Sequence, residues 1–138
     1  MKTRNLLLLL FALALPAAAA PTAEQAKWLS SAKRAEKDGW IYIHVEGTPR
    51  QRGFQHGYQL ANEIADGLAM RRTEWEHNST YAWSWLVGKS KQLINPKVDA
   101  EDLAEMDGIA EGMSAAGKPA SRDDIIAYNA YFDLAWSW

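Results

Sequence analysis

The clearest alternation in the chain is Trp40 to Glu46, WIYIHVE, where Ile41, Ile43 and Val45 alternate with Tyr42, His44 and Glu46. A period of two predicts a strand with one aliphatic and one polar-aromatic face. No other stretch offers a comparable second strand, so the pattern predicts a strand without a partner in this chain. From Thr48 the period lengthens. Phe54, Ala61, Leu68 and Trp75 recur at equal heptad spacing, with Tyr58, Ile64 and Ala65 filling the stripe, as an amphipathic helix requires. Thr48 as N-cap, Pro49 at the first helical position and Gln51 at the third form its start signal. The helix is predicted to run to about Met70, and RRTEWEHNST reads as either its charged continuation or a break. Tyr81 to Leu93 resumes helical character and Pro96 stops it. Asp99 to Ala116 is a further helix with Leu103, Met106, Ile109, Ala110 and Met113 on its apolar face. After the Gly117-Lys118-Pro119 turn, Ser121 and Asp124 form a second capping box. It opens a last helix bearing Ile125, Ile126, Tyr128, Phe132 and Leu134. Pro21 to Asp38 is polar around Trp28 and Leu29, and reads as a short helix ended by Gly39. The predicted fold class is α+β, a mostly helical segment with one strand.

The longest apolar run precedes all of this. Lys2 and Arg4 lead into Leu6 to Leu15, broken by Pro16 and followed by Ala17, Ala18 and Ala19. That is the layout of a secretory signal peptide, predicted over residues 1–19 with cleavage after Ala19. The run is short for a bilayer span, so no stable membrane span is expected after cleavage. Residues 20–138 are then one domain, or the N-terminal part of one. With 48% hydrophobic and 23% charged residues the chain is globular in composition. The formal net charge of -2, without a basic stripe, argues against nucleic acid as a partner. The chain has no cysteine, which excludes disulfides, thiolate metal sites and a cysteine nucleophile within it. Export without disulfides fits a periplasmic or secreted location.

Candidate chemistry is sparse. Gly53 and Gly57 lie four apart in a helix, where each costs about 1 kcal/mol relative to Ala. They serve either close backbone packing or a phosphate cradle at a helix start; the lack of a following Lys-Ser/Thr pair favours packing. His44, His56 and His77 show no metal spacing, and His56 reads as a structural histidine rather than a general base. Asp102, Glu105 and Glu111 read as a solvated helix face, with Glu111 set apart by its place in GIAEG between Gly108 and Gly112. No G-x-S-x-G elbow is present. No catalytic residue, metal ligand or cofactor site is therefore assigned.

Two stretches resemble a known family. EGTPRQRGFQHGYQLANEI, Glu46 to Ile64, resembles the first motif of the acyl-coenzyme A:6-aminopenicillanic acid acyltransferase family, G-T-P-x-x-x-G-x-x-H-G. EMDGIAEGMSAAGKPASRDDIIAYNAYFDL, Glu105 to Leu134, resembles its second, a G-I-A-x-G helix followed by a capped helix with a Tyr-Asn pair. Gly47, Thr48, Pro49, Gly53, His56 and Gly57 match the first motif, and Gly108, Glu111, Gly112 and Asn129 the second. The phospholipase B-like proteins are a more distant resemblance. The resemblance implies part of a four-layer αββα N-terminal-nucleophile hydrolase fold. It implies a precursor that cleaves itself before a cysteine, whose free thiol then attacks amides or thioesters. That cysteine would lie beyond Leu134, and the matched residues would support the site structurally. The chain is then the α-subunit-like front of an exported amidohydrolase or acyltransferase, inactive alone, whose partner is the downstream β-subunit-like segment. The closing DLAWSW would be a cut through core-facing sequence. The alternative is a standalone helical periplasmic binding module with Trp83, Trp85, Trp136 and Trp138 as an aromatic surface for sugar or lipid. Under a further alternative the chain is a helical subunit docking onto another chain.

Overall fold

A computed structural model describes residues 20–136. The predicted leader, residues 1–19, and Trp138 lie outside them. The order is α1 (Ala23–Leu29), β1 (Lys33–Lys37), β2 (Trp40–His44), α2 (Pro49–Gln59), α3 (Ala61–Asn78) and α4 (Trp83–Leu93). A short 3-10 turn (Asn95–Lys97) leads to α5 (Ala100–Ala115), α6 (Arg122–Asn129) and α7 (Tyr131–Ala135). The chain is mostly helical with one two-stranded antiparallel sheet, an α+β arrangement. Among the described residues no helix is long and apolar enough to cross a membrane.

The strand has a partner, which corrects two expectations. Pro21 to Asp38 is not one helix: α1 ends at Leu29 and β1 follows, pairing with β2 in the register Lys33↔His44 to Lys37↔Trp40. The turn between them holds Asp38 at φ 54° and Gly39 at φ 82°. Two successive positive φ values are what a tight type I′ hairpin demands, and Asp-Gly supplies them. All five β1 residues are exposed, so no buried face left an alternating pattern to read.

The helix opened by Thr48 also differs from expectation. The Gln51 side chain accepts from the Thr48 N–H at 2.9 Å, as the capping box predicts. The helix then breaks at Leu60 (φ -112°, ψ 24°) and resumes as α3, which runs past Met70 to Asn78. Arg71 and Glu74 form an i,i+3 pair at 2.7 Å within the charged continuation. The predicted stripe survives the break, since Phe54, Ala61, Leu68 and Trp75 are all buried.

The main core lies between α3, α4, α5, α6 and α7, with Trp83, Leu86, Met113, Ile125 and Leu134 at its centre. The second capping box forms as predicted: the Ser121 hydroxyl accepts from the Asp124 N–H at 3.1 Å, and Asp124 accepts from the Ser121 N–H at 3.2 Å. Phe54 is buried outside this cluster, edge-on to Trp28 of α1 at 5.5 Å and stacked with Tyr58 at 6.2 Å.

Candidate functional site

Nine of the ten singled-out residues gather where α2 meets α5. A Cβ on Gly53 would lie 1.9 Å from the Glu105 carbonyl oxygen, and one on Gly57 2.1 Å from that of Ile109. From the other helix, a Cβ on Gly108 would lie 2.2 Å from the Arg50 carbonyl oxygen, and one on Gly112 2.2 Å from that of Phe54. Each glycine therefore faces the opposite backbone with no room for any side chain, and the two helices meet main chain to main chain. That is the close-packing reading. Gly53 and Gly57 are enclosed by helix α5, leaving no space for a phosphate.

Charged pairs flank this contact on both sides. Arg50 holds Glu111 through two nitrogens, with Nε at 3.2 Å. Arg52 reaches Glu105 and Glu101, both at 3.1 Å, and the Gly47 carbonyl at 3.1 Å. The Glu111 hydrogen bonds hold the Arg50 guanidinium above its ordinary pKa. Glu105 and Glu111 are thus paired across the helix contact rather than freely solvated, correcting that expectation; Asp102 is exposed as expected. Such half-exposed pairs contribute about 0–1 kcal/mol each, so they align the helices more than they stabilise them.

Gly47 has φ 104° and a Cβ there would meet the Gln51 amide oxygen at 2.4 Å. This left-handed residue turns the chain from the strand into α2. The adjoining Gln55 was not singled out from the sequence, yet it is 1% exposed. Its Oε1 accepts from the Glu46 N–H and its Nε2 donates to the Glu46 carbonyl, both at 2.9 Å. A side-chain amide thereby takes the place of a neighbouring strand and ties β2 to α2. Nothing in a single sequence separates Gln55 from Gln51 and Gln59 in the same helix. The ion-pairing of Arg50 and Arg52 was missed too, because it depends on which face of α2 meets α5.

His56 is half-buried in α2. Burial lowers its pKa, and the Glu105 charge opposes this only in part. Asn129 lies apart, exposed on α6, its amide donating to the Ile125 carbonyl one turn back at 2.9 Å. Of the remaining motif side chains, Thr48 and Glu111 line a polar hollow together with Thr22, Gln25, Trp28 and Arg50. Its hydroxyls belong to Thr22, which accepts from the Gln25 N–H at 3.2 Å as the α1 N-cap, and to Thr48, the N-cap of α2. Among the described residues no group of His, Asp and Glu is arranged to hold a metal ion.

The tryptophans do not form one aromatic surface. Trp83 is 4% exposed, with its Nε1 donating to Asp124 at 3.0 Å. Trp85 is half-buried between Trp75 at 5.9 Å and Tyr81 at 4.3 Å. Trp136, 87% exposed, is the one open to solvent of the three described members of the expected set. Comparison with models of known families, with curated proteins and with solved structures finds no match to this chain.

Proposed function

We propose that the chain is the α-subunit-like front segment of an exported, self-processing N-terminal-nucleophile amidohydrolase or acyltransferase. The nucleophilic cysteine comes from sequence downstream of Trp138, and the substrate is an amide or thioester acyl group. One observation carries this reading. The two stretches that resemble the acyltransferase family, Glu46 to Ile64 and Glu105 to Leu134, are far apart in sequence but pack together through Gly53, Gly57, Gly108 and Gly112. The four glycines share one structural job, since each faces the backbone of the opposite helix with no room for a side chain. The chain's own part is scaffolding: the glycine contact, the Gly47 turn and the Gln55 tie fix where the hairpin leaves α2. The downstream segment docks beside α7, where Phe132 and Trp136 are exposed. Burial of Trp83 weighs against the aromatic binding module.

The test is to read the coding DNA past the Trp138 codon and to measure the intact mass of the protein from its native source. The reading expects a continuing frame with a cysteine, and two chains, the second beginning at that cysteine. Replacing that cysteine by alanine should leave one uncleaved chain. A stop codon followed by unrelated sequence, with a single-chain mass, overturns the proposal.

A further inference from the structure

The two edges of the hairpin differ in kind. β1, KRAEK, carries Lys33, Arg34, Glu36 and Lys37, and charged side chains, lysines above all, discourage another strand from pairing. β2, WIYIH, carries no carboxylate, ammonium or guanidinium group. Its Trp40, Ile41 and Tyr42 are 71%, 40% and 56% exposed. Among the described residues β1 is its sole ladder partner.

The register decides what the open edge offers. A two-residue turn makes the flanking pair, Lys37↔Trp40, a hydrogen-bonded one, and the class alternates along an antiparallel ladder. Ala35↔Tyr42 and Lys33↔His44 then belong to the same class. The backbone groups of Trp40, Tyr42 and His44 are spent on β1, and those of Ile41 and Ile43 face outward. These two residues are placed symmetrically about Tyr42.

We propose that β2 is the two-fold interface of a homodimer, in which the open edges of two copies pair antiparallel about Tyr42. Ile41 of each copy exchanges both backbone hydrogen bonds with Ile43 of the other. The two Tyr42 residues meet as a non-hydrogen-bonded pair, the geometry with Cα atoms about 4.5 Å apart. Trp40 stands opposite His44, and no strand residue faces a like charge. The product is a four-stranded sheet ordered β1-β2-β2-β1, whose outer edges are both the charged β1. Further strands are discouraged there, so assembly closes at two copies. An isolated two-stranded hairpin is marginal in water, whereas three or more strands with an apolar face are not; pairing supplies what the hairpin lacks. The inference does not rest on the function proposed above, which places the downstream segment beside α7.

Residues 1–138 contain no cysteine, so in a protein of this sequence an introduced cysteine is the sole thiol. The full chain is produced with its leader, purified after export, and its mass measured by sedimentation velocity over a concentration series. A dimer is expected. Tyr42→Cys should cross-link into a covalent dimer on mild oxidation, and Ala35→Cys, on β1 beside it, should not. Ile43→Pro removes an outward N–H without touching the β1 ladder, and should give a monomer with an unchanged circular dichroism spectrum. Tyr42→Lys, which sets two like charges at the axis, should do the same should the proline variant fail to fold. A monomer at the highest concentration, equal cross-linking at both cysteines, or a dimer that survives Tyr42→Lys overturns the proposal.

Discussion

Replacing Gly57 by alanine sets two effects against each other. Alanine is about 1 kcal/mol better than glycine inside a helix, and α2 would gain that amount if the position were free. It is not free: the new methyl would sit 2.1 Å from the Ile109 carbonyl oxygen and 2.8 Å from the Ile109 Cα. Both atoms are backbone, so no rotamer change relieves the overlap, and the helices must separate by an ångström or more. Overpacking of this kind costs about 1–3 kcal/mol, and a rigid obstacle places it near the upper end. The net expectation is a loss of about 2 kcal/mol, a fall in Tm of roughly 6–10 °C for a chain of this size. Gly88 in α4 is the control, since a Cβ there meets nothing within 4 Å; Gly88→Ala should gain about 0.5–1 kcal/mol. Gly57→Ala with Gly112→Ala should lose less than the sum, because one separation accommodates both methyls. Urea and thermal unfolding of the unmodified chain, the three single variants (Gly57→Ala, Gly88→Ala and Gly112→Ala) and the double variant measure all of this. A Gly57→Ala variant as stable as Gly88→Ala would show that α2 and α5 do not meet backbone to backbone.

Gln55→Leu should cost about 1–3 kcal/mol by stranding the Glu46 N–H and carbonyl, with faster amide exchange at Val45 and Glu46 as the specific readout. Ser121→Ala should cost about 1 kcal/mol in urea unfolding through loss of the α6 cap. Burial raises the Asp124 pKa, but bonds from Ser121 and the Trp83 indole outweigh it and leave the pKa lowered. Its contribution is therefore present above the unfolded carboxylate range and lost as pH falls through the folded value; Asp124→Asn should flatten the acid limb of a Tm-against-pH curve. The His56 pKa is lowered by burial, so as pH drops below an unfolded value of about 6.5 the unfolded chain binds more protons and stability decreases as the pH decreases. His56→Gln should remove the part of that slope lying just below neutrality, and an unchanged slope would show the imidazole to be solvated.

The helices were legible because their signals are local. The caps at Thr48 and Ser121 and the stripe through Phe54, Ala61, Leu68 and Trp75 need only neighbouring residues. The stripe even crosses the break at Leu60, which no proline or glycine announces. β1 was hidden because Lys33–Lys37 buries neither face; Asp38-Gly39 was its one trace, read as a helix stop when it is a hairpin turn. At the glycine contact the sequence showed that Gly53 and Gly57 cost helix stability, hence that something offsets the cost. It could not show that Gly108 and Gly112 are that something, since the pairing is set by tertiary packing. The same holds for the salt links of Arg50 and Arg52. Trp83 illustrates the opposite failure: an aromatic cluster in sequence became a core residue, because Asp124 offered its indole N–H a partner.

The α2–α5 contact joins two stretches with all of α3 and α4 strung between them. The entropy of closing such a loop grows only as the logarithm of its length, about 0.6 kcal/mol per doubling. Residues added at the exposed connection from Asn78 to Ala82 would therefore weaken the glycine contact very little. A single methyl at Gly57 would weaken it far more. Across related chains, length should vary freely between the two glycine pairs while the pairs themselves keep their spacing of four.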